Sequence, residues 1–334
     1  MTLSNAGFNL AELAVIVRSG VPESRHFGWL VALDANGTVA AHLGDDSIQV
    51  LPRSTTKPLQ ALACLIAGAD LSDEELAIAA GSHTGEDAHA EAVRSILSRA
   101  QLDESALRCP VDWPEDEPTR ERLIRDGETR SRVRMNCSGK HAAMLLACVT
   151  NGWDTSSYLE PSHPLQRLIL ETVQRMSGVE VAHTAVDGCG APLFSTTVEG
   201  LARAFRGLVA AEEGTNERRV ADAMRSHPFF VGGDNHANSD TMSRIPGVLA
   251  KGGAEGVIGM AAASGQAVAM KIVDGSPRAT TLLALRILGA LGVDTSAAGS
   301  LTELPILGGG IPVGSIVPGA DVEDWLTATR TGIR

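Results

Sequence analysis

Pro52-Arg53-Ser54-Thr55-Thr56-Lys57-Pro58, followed by the apolar run Leu59 to Ala69, decides the fold. Proline is tolerated in the first turn of a helix, and a serine or threonine just before it can cap that turn. A buried helix is therefore predicted to start here, carrying Ser54 and Lys57 in its first turn. Upstream, Leu13–Ser19, Phe27–Leu33 and Val39–Leu43 read as strands, and Asp34-Ala35-Asn36-Gly37 between the last two is a hairpin signal. A strand hairpin thus feeds the motif helix.

Working outward, the middle of the chain reads as helices at Asp73–Ala80, Ala88–Ala100, Lys140–Thr150, Pro164–Ser177, Leu193–Ala211 and Asn216–Arg225, with a Pro- and acid-rich loop at Cys109–Arg120. From Val248 the pattern changes to three strands, Val248–Lys251, Val257–Ala262 and Val268–Val273, and then a helix, Arg278–Leu291. Strands, one helix, a helical insertion, strands and a helix make an α+β fold. Residues 1–58 and 246–334 are expected to share one mostly antiparallel sheet, with 59–245 as a mainly helical lobe beside it and the site at the junction.

The 334 residues suffice for a large core, and 44% hydrophobic with 20% charged residues is the composition of a globular enzyme. Aromatics are only 3%, so a tight interior lined by Ala and Gly is expected. A formal charge of -12 argues against nucleic acid or an anionic membrane surface as partner. Met1 to Gly20 has no basic leader, and Glu12 interrupts its apolar stretch, so neither a signal peptide nor a membrane span is read there. Five cysteines without C-x-x-C spacing imply no disulfide framework. A cytoplasmic location is expected.

Serine is a poor nucleophile until a base removes its proton. In Ser-x-x-Lys the i,i+3 spacing stacks both side chains on one helix face, and a buried lysine near another cation can be neutral and act as that base. The competing reading is an N-cap serine beside a surface lysine. Gly247-Val248-Leu249-Ala250-Lys251-Gly252-Gly253 resembles the Lys-[Ser/Thr]-Gly strand that accompanies Ser-x-x-Lys in serine β-lactamases, penicillin-binding proteins and related glutaminases, and it follows in the order that fold requires. A structural turn is its plainer alternative. Lys271, on a neighbouring strand, rivals Lys251. Three more polar segments stand out: Gly81 to Asp87, where Ser82 or Thr84 could simply cap the next helix; Met135 to His141; and Asp187 to Pro192.

Taken together, Arg-Ser-Thr-Thr-Lys-Pro at 53–58, Ser-His-Thr-Gly-Glu at 82–86, Asn-Cys-Ser-Gly-Lys-His at 136–141, Asp-Gly-Cys-Gly-Ala-Pro at 187–192 and Lys-Gly-Gly-Ala-Glu-Gly at 251–256 resemble the bacterial type II asparaginase family of rhizobial, thermolabile type. That resemblance implies a β-lactamase/glutaminase-like fold, a homodimer, and hydrolysis of L-asparagine to L-aspartate and ammonia. It implies two pairs, Ser54 with Lys57 and Ser82 with Lys251, and a zinc site at Cys137, Lys140 and Cys189 with Asp187 beside it. Arg53, His83, Asn136, His141 and Asp187 are the substrate-contact candidates. Gly232 to Thr241 departs from the family pattern, which would place a basic residue near Asn238. The alternatives are a glutaminase or β-lactam hydrolase on the same scaffold, or a non-catalytic sensor module.

Overall fold

The computed structural model describes residues 9–45 and 47–332. The first eight residues of the Met1 to Gly20 stretch read above lie outside them. The chain opens with β1 (Ala11–Arg18), a long β2 (Val21–Leu33) and β3 (Val39–Leu43). A 3-10 turn, Arg53–Thr56, leads into α1 (Lys57–Ile66). The helical lobe follows: α2 (Asp73–Ala79), α3 (Asp87–Arg99), α4 (Glu117–Arg125), α5 (Ser138–Asn151) and α6 (Pro164–Ser177). After a small β4–β5 ribbon (Thr184–Val186, Pro192–Phe194) come α7 (Val198–Val209), α8 (Asn216–Ser226), α9 (Pro228–Gly232) and α10 (Ala237–Arg244). The chain then returns to the sheet with β6 (Val248–Gly253), β7 (Val257–Ala262) and β8 (Ala267–Ile272), and continues through α11 (Thr280–Ala290), β9 (Pro305–Gly308), β10 (Ile311–Pro318) and α12 (Ala320–Thr331).

The sheet order is β6-β7-β8-β2-β1-β10-β9, with β3 also paired to β2, and every pairing is antiparallel. Strands from both ends of the chain therefore share one sheet, as the α+β reading expected. Along β7 every residue is buried, so both its faces are covered: α7 packs on one and α11 on the other. The low aromatic content shows in this packing. Phe205 of α7 lies where a side chain on Gly259 of β7 would be, its ring 2.5 Å from that position.

Several boundaries differ from the sequence reading for identifiable reasons. Thr197 caps α7 by accepting from Gly200 N at 3.0 Å, so the helix starts at Val198, and Leu193 belongs to the β4–β5 ribbon. The Cys109–Arg120 loop ends in α4, whose Asp116 cap accepts from Thr119 N at 2.8 Å. No serine or threonine caps α1: Thr55 and Thr56 donate back to Pro52 and Arg53 carbonyls at 2.5 and 3.0 Å, closing the 3-10 turn instead. Neither Ser82 nor Thr84 caps α3; Glu86 occupies that position, its N–H donating to His89 Nδ1 at 3.2 Å. Among the described residues no helix is long and apolar enough to cross a membrane.

Candidate active site

Three chain crossings build the site, and small residues permit two of them. Gly139, in the first turn of α5, lies against the end of α2; a Cβ there would sit 2.6 Å from the Ile78 carbonyl oxygen. Gly253, at the end of β6, lies against the motif turn, where a Cβ would be 2.9 Å from Pro52 O and 3.1 Å from Ser54 N. Gly81-Ser82 is pinned by a hydrogen bond from Ser82 N to Val231 O at 2.7 Å. The motif turn, the end of α2, the start of α5 and the edge strand β6 thereby meet.

At their meeting point Ser82 Oγ accepts from Lys57 Nζ and from Lys251 Nζ, both at 2.9 Å. Lys57 also donates to Asn136 O at 3.0 Å, and Lys251 to Gly252 O at 2.5 Å. Both lysines are buried. Burial first, and then the neighbouring Lys57, hold Lys251 well below the ordinary lysine range, favouring a neutral amine. The expected Lys251–Ser82 contact is formed. Lys57 reaches the same serine, and Ser54 Oγ has no hydrogen-bond partner among the described residues. Spacing predicted Ser54 and Lys57 on one helix face, but Ser54 lies in the 3-10 turn before the helix and the lysine amine bonds Ser82. Lys271 is elsewhere: it donates to Glu255 O and lines a separate recess with Arg53.

Ser54, Ser82 and Lys251 open onto a cavity of about 620 Å³, which Asn136 also lines. Arg53 does not line it; its Nε bonds Asp187 Oδ1 at 2.8 Å, tying the motif turn to the β4–β5 loop. Arg53 also has φ 52°, a left-handed conformation unfavourable for a side-chain-bearing residue and held immediately before Ser54. His83 and His141 are fully buried behind the cavity, one bonded to Ser138 Oγ at 2.9 Å and the other to Tyr158 OH at 2.7 Å. Neither lines the cavity.

The same cavity shows residues that sequence reasoning did not select: Glu115, Asn235, His236, Asn238 and Arg278. Asn238 Oδ1 accepts from Gly252 N at 2.8 Å and so fixes the strand that carries Lys251, at the place where a basic residue was expected. His236 Nδ1 accepts from Asn238 N at 3.2 Å, which leaves its proton on Nε2. Burial and the two lysines hold this imidazole down at about 4, so it is neutral at physiological pH. The polarity of the Gly232 to Thr241 segment was the available signal.

Behind Asn136 lies a buried group of Cys137, Lys140 and Cys189. Lys140 Nζ donates to Cys189 Sγ at 3.1 Å, and Cys189 Sγ lies 3.7 Å from Asp187 Oδ2. The Cys137 thiol and the Lys140 charge hold Cys189 far below the ordinary thiol range against the opposing effect of burial, which favours its thiolate form. Among the described residues no three His, Cys, Asp or Glu side chains are gathered in a metal-holding group, so a metal here depends on Lys140 as the third donor. Two sulfurs and one nitrogen, the Lys140 amine once its proton is lost, are a donor set of the kind zinc takes.

Comparison with known proteins bears on this geometry. The family model described as L-asparaginase II matches residues 14–318. The chain belongs to the L-asparaginase II family. That span contains all five quoted motifs and every residue of the Lys57–Ser82–Lys251 cluster. Membership points to an amidohydrolase acting on an amide substrate. No curated protein matches. Among solved structures, a Bacillus glutaminase is similar at 11% identity and TM-score 0.45, covering 80% of this chain and 92% of its own. A putative β-lactamase from Bacteroides dorei is similar at 14% identity and TM-score 0.43, covering 74% and 84%. A β-lactamase from Mycobacterium bovis is similar at 15% identity and TM-score 0.42, covering 82% and 92%.

Proposed function

We propose that this member of the L-asparaginase II family hydrolyses L-asparagine to L-aspartate and ammonia by Ser-Lys acyl transfer, with Ser54 as nucleophile. One observation carries the reading: a serine bridged by two buried lysines opens onto the same cavity as a second, unpartnered serine. Ser54 Oγ is free to attack, and its N–H lies in the first turn of a 3-10 helix, where no intrahelical acceptor exists. Ser82, with both lysines donating to it, is placed to relay protons.

In the first half-reaction the Ser54 oxygen bonds the side-chain amide carbon and its proton passes to the Lys57 amine. The carbon–nitrogen bond then breaks as Lys57, Ser82 and Lys251 pass a proton to the leaving nitrogen, which departs as ammonia. In the second, water adds to the β-aspartyl ester, its proton enters the same relay, and the ester bond breaks to restore the Ser54 hydroxyl. A hydrogen bond absent before substrate binds is compatible with these roles, because catalytic contacts tighten in the complex.

Cys137, Lys140 and Cys189 would hold zinc, which would supply a fixed positive charge beside Asp187 and Arg53 and so stiffen the motif turn from behind. A homodimer in the cytoplasm belongs to the same reading, and the dimer is checked by light scattering. Ammonia release with L-asparagine, L-glutamine and a chromogenic β-lactam tests the function. Preference for asparagine over glutamine by about 10–200-fold, the discrimination available from one methylene, is expected. Equal efficiency on both amides, or turnover of the β-lactam alone, would refute it.

A further inference from the structure

Glu115 is the only carboxylate among the described residues lining the cavity. It lies in the loop before α4, and its Oε1 accepts from Asn136 Nδ2 at 2.7 Å. Asn136 is itself held at two other atoms: its backbone oxygen accepts from Lys57 Nζ at 3.0 Å and its Oδ1 from the Cys137 thiol at 3.1 Å. The carboxylate is therefore fixed relative to the lysine–serine relay, although it is exposed to the cavity. Its direct partner is a neutral amide. Glu115 makes no ion pair among the described residues, and its charge reaches Lys251, which donates to Ser82 and Gly252, without a bond between them. Oε2 has no hydrogen-bond partner among the described residues, and Glu115 lines the space a substrate would enter.

We propose, resting on the amidohydrolase reading above, that Glu115 is the receptor for the α-ammonium group of the substrate and restricts the site to amides that carry a free amine. The chemistry is direct. In asparagine the amine nitrogen is three bonds from the amide carbon that Ser54 attacks, so a ligand seated at Ser54 presents its ammonium within the same small cavity. A fixed carboxylate there gives a charge-assisted hydrogen bond, and fixing it beforehand removes the ordering cost at binding. Such a bond corresponds to roughly a 10- to 100-fold change in affinity. Asn136 becomes a positioning residue, joining recognition of the amine to the lysine that takes the Ser54 proton.

The test uses two ligand pairs that differ only in the amine: L-aspartate against succinate for binding by calorimetry, and L-asparagine against succinamate for turnover. Wild type is expected to favour the amine-bearing member of each pair by at least about 10-fold. Glu115→Gln removes the charge and should erase that preference, weakening aspartate while succinate, a dianion relieved of a like charge, binds no more weakly than before; Glu115→Asp, which keeps the charge, should retain part of the preference. Absence of the preference in wild type, or its survival in Glu115→Gln, overturns the proposal. So does an equal loss for both members of a pair, which would show a structural role through Asn136. The two readings fail separately. Amine-selective binding without any amide turnover would refute the amidohydrolase and keep the receptor, whereas asparagine and succinamate hydrolysed alike would do the reverse.

Discussion

Replacing Lys251 with methionine tests the relay through both activity and stability. The two side chains are similar in length, so the buried space stays filled. The substitution removes two hydrogen bonds, to Ser82 Oγ at 2.9 Å and Gly252 O at 2.5 Å, each worth about 0.5–1.5 kcal/mol net. It also removes the cost of keeping an amine out of water. At high pH the two proteins should therefore differ by no more than about 3 kcal/mol, the sum of those two bonds. The pH dependence is more telling. Lys251 in the folded protein is held well below its ordinary value of 10.5, first by burial and then by Lys57. Between the folded value and 10.5 the unfolded chain binds the proton and the folded chain does not. Wild-type stability consequently rises with pH across that window, by up to about 1.4 kcal/mol per pH unit from this group. Lys251→Met lacks that slope. Urea unfolding at pH 8, 9 and 10 should show the variant gaining on wild type as pH falls. Asparagine-dependent ammonia release should fall by about 10²–10⁴-fold, the range for a positioned proton-transfer group. Activity within a few-fold of wild type, or a stability difference flat across those three pH values, would refute the reasoning.

Ser54→Ala and Ser82→Ala should each abolish amide hydrolysis with near-native thermal unfolding, and the double variant should be no worse than either, because residues acting as one unit are non-additive. Gly253→Ala should destabilise the protein by about 1–3 kcal/mol and lower kcat/KM, since its Cβ would press on Pro52 O and Ser54 N; calorimetry and turnover measured together check both. Elemental analysis of purified protein should find zinc, lost in Cys189→Ala together with some substrate affinity. Metal-free protein that resists loading yet is fully active would remove zinc from the account.

What the sequence made legible was local. The Pro58 signal located the start of the motif helix, although Ser54 lies in the 3-10 turn that leads into it and only Lys57 is on the helix, and the late Lys251 strand fell in the right order for one shared sheet. The partner of Lys57 was not legible, because spacing fixes a helix face and not how far a four-carbon side chain reaches. Glu115 sits in an acid-rich loop where nothing local separates it from Asp112 or Glu117; only its contact with Asn136, twenty-one positions away, selects it. Lys251 and Lys271 could not be ranked from alternation alone, since both lie on paired strands and the crossing of β6 over the motif turn decides between them. The C-terminal β9, β10 and α12 went unread. β9 has only four residues and pairs with β10, and the place of β10 is set by pairing with β1, about three hundred residues earlier.

The central claim is a covalent ester on Ser54. Acid-quenched turnover of L-asparagine by the wild-type protein, followed by peptide mass spectrometry, tests it most directly. One aspartyl group is expected on the peptide that contains Ser54, absent in the Ser54→Ala background. The same group found on the peptide that contains Ser82, with Ser54 unmodified, would contradict it.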